Sequence, residues 1–150
     1  MRSTLPMLLI RVVVGLVFVT EGVLKFIRPD QLGAGRFAAI GLPFAHGLAP
    51  LVGGVEIAGG LAIALNVFAG DAALVLLVVM ATALATTKLP ILLGHAVGPF
   101  VLAKLPEYGV LSFLHEARVD LCMVFGLVAV AIDSGVRMGR RRPWYQSKAL

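Results

Sequence analysis

A strongly apolar chain that carries charges inside its apolar runs has few folds open to it. Eight ionisable residues, Arg11, Glu21, Lys25, Glu56, Lys88, Glu116, Arg118 and Asp120, lie within such runs or at their edges. In hydrocarbon a charge costs several kcal/mol, roughly 2.5–3.5 on insertion scales. Such residues persist by facing one another inside a helical bundle or by lining a wet cavity, and they mark either a functional site or an internal polar network. Composition supplies the hydrocarbon: 59% of the 150 residues are hydrophobic and 14% are charged, against about 45–50% and about 25% in soluble domains. One small core cannot hide that excess, so a lipid bilayer is the natural solvent.

A spanning helix needs about 20 mostly apolar residues, and four segments qualify. The first runs from Leu5 to Ile27 and is closed by Arg28-Pro29-Asp30, with Pro6 in the first turn, where its missing N–H is harmless. The second runs from about His46 to Phe68, after Gly41-Leu42-Pro43. The third runs from about Gly70 to Lys88 and is expected to stop before Pro90. The fourth runs from about His115 to Val136. A short polar turn, Asn66 to Asp71, makes the second and third a tight hairpin. The stretch from Pro90 to Leu114 holds Gly94, Gly98, Pro99, Pro106 and Gly109, and is too broken to span. It reads as an extramembrane or re-entrant segment packed on the bundle. The expectation is one all-α, four-helix transmembrane domain over residues 1–136 and a basic tail over 137–150.

The net charge of +5 does not point to nucleic acid, because the basic residues crowd into the tail as Arg137, Arg140, Arg141, Arg142 and Lys148. Beside an apolar helix such a cluster is a cytoplasmic topology anchor. With Arg2 on the same side and an even number of spans, both termini are expected in the cytoplasm of a bacterial inner membrane. A cleaved signal peptide is not expected: the first apolar stretch is long, holds Arg11, Glu21 and Lys25, and has no convincing small-x-small site after it. Cys122 stands alone, which excludes an internal disulfide or a Cys-x-x-Cys pair, and is expected to be a buried inert thiol. His46, His95 and His115 show no ligand spacing, so no metal site is expected. There is no phosphate loop, nucleophile elbow or haem-attachment motif.

In this topology the charges cluster at the outer face. Glu21 and Lys25 end the first helix, Thr86-Thr87-Lys88 the third, and His115, Glu116, Arg118 and Asp120 begin the fourth. Three acids, Glu21, Glu116 and Asp120, balance three bases, Lys25, Lys88 and Arg118. Glu21 and Lys25 also have the favourable i,i+4 order. Helical periodicity places Arg11, Gly15, Phe18, Gly22 and Lys25 on one side of the first helix, and Gly53, Glu56, Gly60 and Ala64 on one side of the second. Small residues there permit close helix approach. Glu56 is protonated, paired with a residue such as Arg11, or exposed to a polar cavity. Arg11 and Asp133 form a second candidate pair. Structural ion pairing, a ligand or redox site, and an ion or proton path all remain open readings of the cluster.

Arg11, Gly15-Leu16-x-Phe18 and Glu21-Gly22-x-x-Lys25-Phe26 resemble the first helix of the DoxX family of small bacterial membrane proteins. Phe37 with Gly41-Leu42-Pro43 is similar to that family's connecting segment, and Gly53 with Glu56-x-x-Gly59-Gly60 to its second helix. Ala85-Thr86-Thr87-Lys88-x-Pro90-Ile91-Leu92 and His115-Glu116-Ala117-Arg118-x-Asp120 resemble a common subgroup. The likeness runs from about residue 7 to 136. It implies a four-helix membrane bundle and a link to redox complexes, since one related branch is a subunit of thiosulfate:quinone oxidoreductase and another relative assists maturation of a disulfide-rich enzyme. Without paired cysteines, what carries over is quinone contact or partner binding. The expectation is an accessory subunit of a quinone-linked membrane redox system. Lys25, Lys88 or Arg118 would donate to a quinone carbonyl, and Glu21 or Glu116 would relay protons. The alternatives are a non-catalytic interaction or assembly protein, and a small transporter using Glu56, which would need a homo-oligomer.

Overall fold

Apolar runs of this length satisfy their backbone polar groups in lipid only by forming helices. The computed structural model describes residues 5–135, and its regular structure is all helical, with no strand among the described residues. Helix α1 is Leu5–Ile27. Two short helices follow, α2 (Pro29–Leu32) and α3 (Ala34–Ala39). Helix α4 is Ala45–Ala64 and α5 is Ala69–Ala83. A π-helical turn, Leu84–Lys88, leads into α6 (Leu89–Leu93), and α7 is Val110–Asp133. Among the described residues three stretches are long and apolar enough to cross a membrane: Leu5–Ile27, Ala45–Ala64 and the continuous path Ala69–Leu93. Helix α7 is as long, but its first half carries Glu116, Arg118 and Asp120.

The four long helices touch in the order α1, α4, α5, α7, and α7 returns to α1. Phe18, Ile63, Leu76, Leu127 and Val130 fill the space between them. The tightest seam joins α1 to antiparallel α4. A methyl group on Gly15 would fall 2.6 Å from the Gly60 carbonyl oxygen, and one on Gly22 would fall 2.5 Å from that of Gly53. The glycine stripes anticipated from periodicity therefore meet face to face, and they fix the register: 15 lies opposite 60, and 22 opposite 53.

The helix ends depart from the sequence reading in three places. The third span does not stop before Pro90. The π turn widens the ladder, Leu89 N–H bonds back to the Leu84 carbonyl, and Pro90 falls in the first turn of α6, where no N–H is required. The second span ends at Ala64 rather than Phe68, with Leu65–Phe68 forming the turn into α5. Helix α7 begins at Val110, five residues before His115, because Gly109 (φ +109°) supplies the break that starts it. The expected end at Val136 and the basic tail lie outside the described residues.

Between α6 and α7 the chain is irregular and is tied down at both ends. Gly109 N–H bonds to the Ile91 carbonyl at 3.0 Å, and Val101 N–H reaches the Ile40 carbonyl at 3.4 Å. Gly41 (φ +87°) meets the Pro99 carbonyl so closely that no side chain fits. The segment thus braces the turn that follows α3.

Candidate functional site

The register set by the glycines decides how the charges pair. In an α-helix each Cα–Cβ bond leans toward the helix N-terminus. In an antiparallel pair, side chains about three positions past a shared point of contact, one on each helix, therefore lean toward each other. Lys25 reaches back along α1 and Glu56 back along α4, and Nζ meets Oε2 at 2.6 Å near the Gly22–Gly53 level. Both side chains are about nine-tenths buried, at 10% and 7% exposure. Arg11 is not the partner of Glu56. It lies opposite Ala64 in this register, about 12 Å along the axis from that carboxylate's backbone, at 1.5 Å per residue.

Arg11 instead crosses to the end of α7, where Nη2 donates to Asp133 Oδ2 at 2.6 Å and lies 3.5 Å from Ser134 Oγ. Arg11 is buried and Asp133 is about one-third exposed. This is the second pair expected from sequence. Near it, Val14 of α1 packs against Gly126 of α7, so the helices are closed together at this end.

A third ionic group joins the π turn to α7. Lys88 Nζ stands 3.8 Å from both Glu116 Oε2 and Asp120 Oδ2, which are four residues apart on one face of α7. The π turn has its own hydrogen bonding: the Thr86 hydroxyl donates to the Thr82 carbonyl at 2.9 Å, and the Thr87 hydroxyl to that of Ala83 at 2.7 Å. These bonds satisfy hydroxyls that would otherwise stand bare among apolar side chains. They leave Thr86, Thr87 and Lys88 lining the same space.

That space is a cavity of about 410 Å³, bordered by α1, α3, α4, α5, the π turn and α7. Its apolar wall includes Val17, Phe18, Val52, Val79, Val119 and Met123. Its polar lining is Glu21, Lys25, Arg36, Glu56, Thr82, Thr86, Thr87, Lys88 and Asp120. Among the charges, three acids stand with three bases, so the lining is formally neutral. Val78 and Val119 line it while remaining 67% and 58% exposed, so it is open to the exterior rather than sealed.

Not every residue singled out in the sequence reaches this cavity. His115 and Arg118 point away: both are exposed, and Arg118 Nη1 donates to the carbonyl of His115 in its own helix. They start on the flank of α7 opposite the one that presents Glu116 and Asp120. Glu21 lines the cavity but does not bond Lys25 through its carboxylate; Lys25 contacts only the Glu21 carbonyl oxygen, at 3.4 Å. Cys122 is exposed, not buried, because it falls on the outer face of α7 between the inward Asp120 and Met123. Arg36 is a charged lining residue that the sequence does not single out. Beside it Phe37 of α3, and Ile40 at the C-terminal cap of that helix, line the same space.

The DoxX family model matches residues 6–89, more than half of the chain and the whole of the α1–α4 seam, the Lys25–Glu56 pair and Lys88. The chain belongs to the DoxX family. This DoxX protein is also 44% identical over 119 residues to an uncharacterized membrane protein of Mycobacterium tuberculosis (strain H37Rv), an alignment covering 79% of this chain and 69% of the relative. No solved structure matches it. It is an integral membrane protein, and the matched region holds every cavity wall except α7.

Proposed function

We propose that this DoxX protein is an accessory subunit of a quinone-linked membrane redox system, and that its cavity receives a quinone head group. The observation that carries this reading is the union of an apolar wall with Lys25–Glu56 and Lys88–Asp120 in one space of about 410 Å³. Small-molecule sites are mostly apolar spaces of about 300–1,000 Å³ with a few placed polar groups. A planar ring packs on Phe18, Val79 and Met123, and its oxygens need N–H donors and a proton acceptor within reach. Lysine ammonium groups provide the first and the carboxylates of Glu21, Glu56 and Asp120 the second. When bound, the quinone supplies the two-electron chemistry, and the electrons come from a partner subunit. This chain binds and orients the ring, excludes water from it and holds protons beside it.

The same reading includes α7 as a fourth span. Its charged half faces the cavity and the π turn at Glu116 and Asp120, and its second half is apolar to Asp133. Four spans with the basic tail inside put both termini in the cytoplasm of a bacterial inner membrane, and the cavity in its outer half. The second reading is a non-catalytic assembly protein. It is favoured by one fact: Lys25 and Lys88 each already face a carboxylate.

Purification into nanodiscs from the native membrane, with mass spectrometry of bound quinones and proteins, separates the two. The redox reading expects a stoichiometric quinone and a rise in melting temperature when a decyl-chain quinone is added. A preparation with no bound quinone and no such rise leaves the assembly reading.

A further inference from the structure

The cavity holds three cations in different states. Lys25 is engaged by Glu56 at 2.6 Å, and Lys88 stands between Glu116 and Asp120. Arg36, by contrast, has no carboxylate within 4 Å among the described residues, yet it lines the same space. Its helix is held in place rather than hanging loose. Gly33 packs on the Lys25 carbonyl and Gly35 on that of Asp30, while the turn after α3 is fixed by Ile40–Val101 and by Gly41 against Pro99. Phe37 of α3 and Ile40 at its C-terminal cap line the cavity beside Arg36. Helix α3 is thus a fixed roof with an apolar underside and one guanidinium at its edge.

From this arrangement we infer that Arg36 is the specificity-determining residue of the cavity, recognising the carbonyl oxygen of a quinone-type head group from the roof. This rests on the quinone reading above and names the residue through which it works. A guanidinium carries five N–H donors in a rigid fork and no acceptor, and it does not lose its charge. It therefore selects oxygen-bearing head groups and discriminates against apolar rings of the same size. Glu21, also without an ionic partner among the described residues, lies on the same lining and accepts a hydrogen bond from a hydroxyl on the reduced ring. Lys25 and Lys88 in this scheme keep the walls neutral and the helices in register, and bind the ligand only by giving up a carboxylate.

The test is titration of the full-length protein in nanodiscs with a decyl-chain benzoquinone, comparing wild type, R36Q and, as a cation outside the cavity, K104Q. A hydrogen bond to a charged donor converts to about tenfold or more in affinity. R36Q should lose at least that, with K104Q and the unliganded melting temperature unchanged. Equal affinity of R36Q and wild type overturns the assignment of Arg36 while leaving the quinone reading intact. A lower unliganded melting temperature in R36Q makes Arg36 structural and overturns it too. A wild-type protein that binds no quinone overturns both.

Discussion

The two ends of the helix cluster use the same kinds of side chain for opposite purposes. At the end near the start of α1, Arg11 and Asp133 close a gap. Val14 packs on Gly126, and the space between helices is filled by Ile63, Leu127 and Val130. At the other end, Lys25, Glu56, Lys88 and Asp120 stand around a cavity that the apolar side chains leave open. Charge inside a membrane bundle is therefore not one signal. A single pair sealed by packing is a clamp, whereas several pairs around a void, with a π turn in its wall, leave a lined cavity with room for a ligand. π turns within helices recur at functional sites, and this one sits at the open end.

The contrast can be broken most severely at the seam that supports both ends. Gly15→Leu drives a side chain into the Gly60 carbonyl, where backbone cannot yield. Overpacking of this kind costs about 1–3 kcal/mol and occasionally more, and with no room to relax the variant is expected at the upper end. Loss of monodisperse protein on size-exclusion chromatography checks it, and a wild-type elution profile contradicts the register.

Next in size is the buried pair. Glu56→Gln strands Lys25, and removing one partner of a buried pair costs about 3–5 kcal/mol in soluble proteins. Replacing both, as Lys25→Met with Glu56→Gln, should return most of that. Reversible unfolding in mixed micelles reads the difference; a double variant as unstable as the single one would show that the two residues do not act as a pair. At the closed end Asp133→Asn should cost less, about 1 kcal/mol, because Asp133 is partly exposed.

The smallest stability effect is expected from Lys88→Gln. Its contacts are 3.8 Å, longer than hydrogen bonds, so less than about 1 kcal/mol is at stake. Its effect should appear in ligand binding instead. If K88Q unfolds as readily as E56Q, the open end is a clamp like the closed one and the comparison fails.

Much of this was legible in the sequence. Hydropathy gave three of the spans and periodicity gave the facing glycine stripes, because Gly15 and Gly22 in one helix, and Gly53 and Gly60 in the other, are each about two turns apart. The Arg11–Asp133 pair was readable because one lies near the start of the first span and the other near the end of the last, so an even number of spans brings them to the same side. The partner of Glu56 was not, since it depends on the antiparallel register and on both side chains leaning toward it, and neither is written in either helix alone. Lys88 was placed at the right end, but the π turn that aims it hides behind Pro90, which reads locally as a stop. Arg36 was missed because α3 is too short for periodicity to declare a face, and its position comes from glycine contacts with α1 and with residues 99–101. His115 and Arg118 failed for the converse reason: proximity in sequence to Glu116 and Asp120 does not put them on the same side of α7.

The central claim is that the open end binds a lipophilic head group, and a photoactivatable azido-quinone tests it most directly. After illumination in nanodiscs, peptide mapping should find the label on residues 17–25, 78–88 and 119–123, and excess unlabelled quinone should remove it. Label scattered over outward residues such as Val12, Leu61 and Phe125, and insensitive to competitor, would contradict the account.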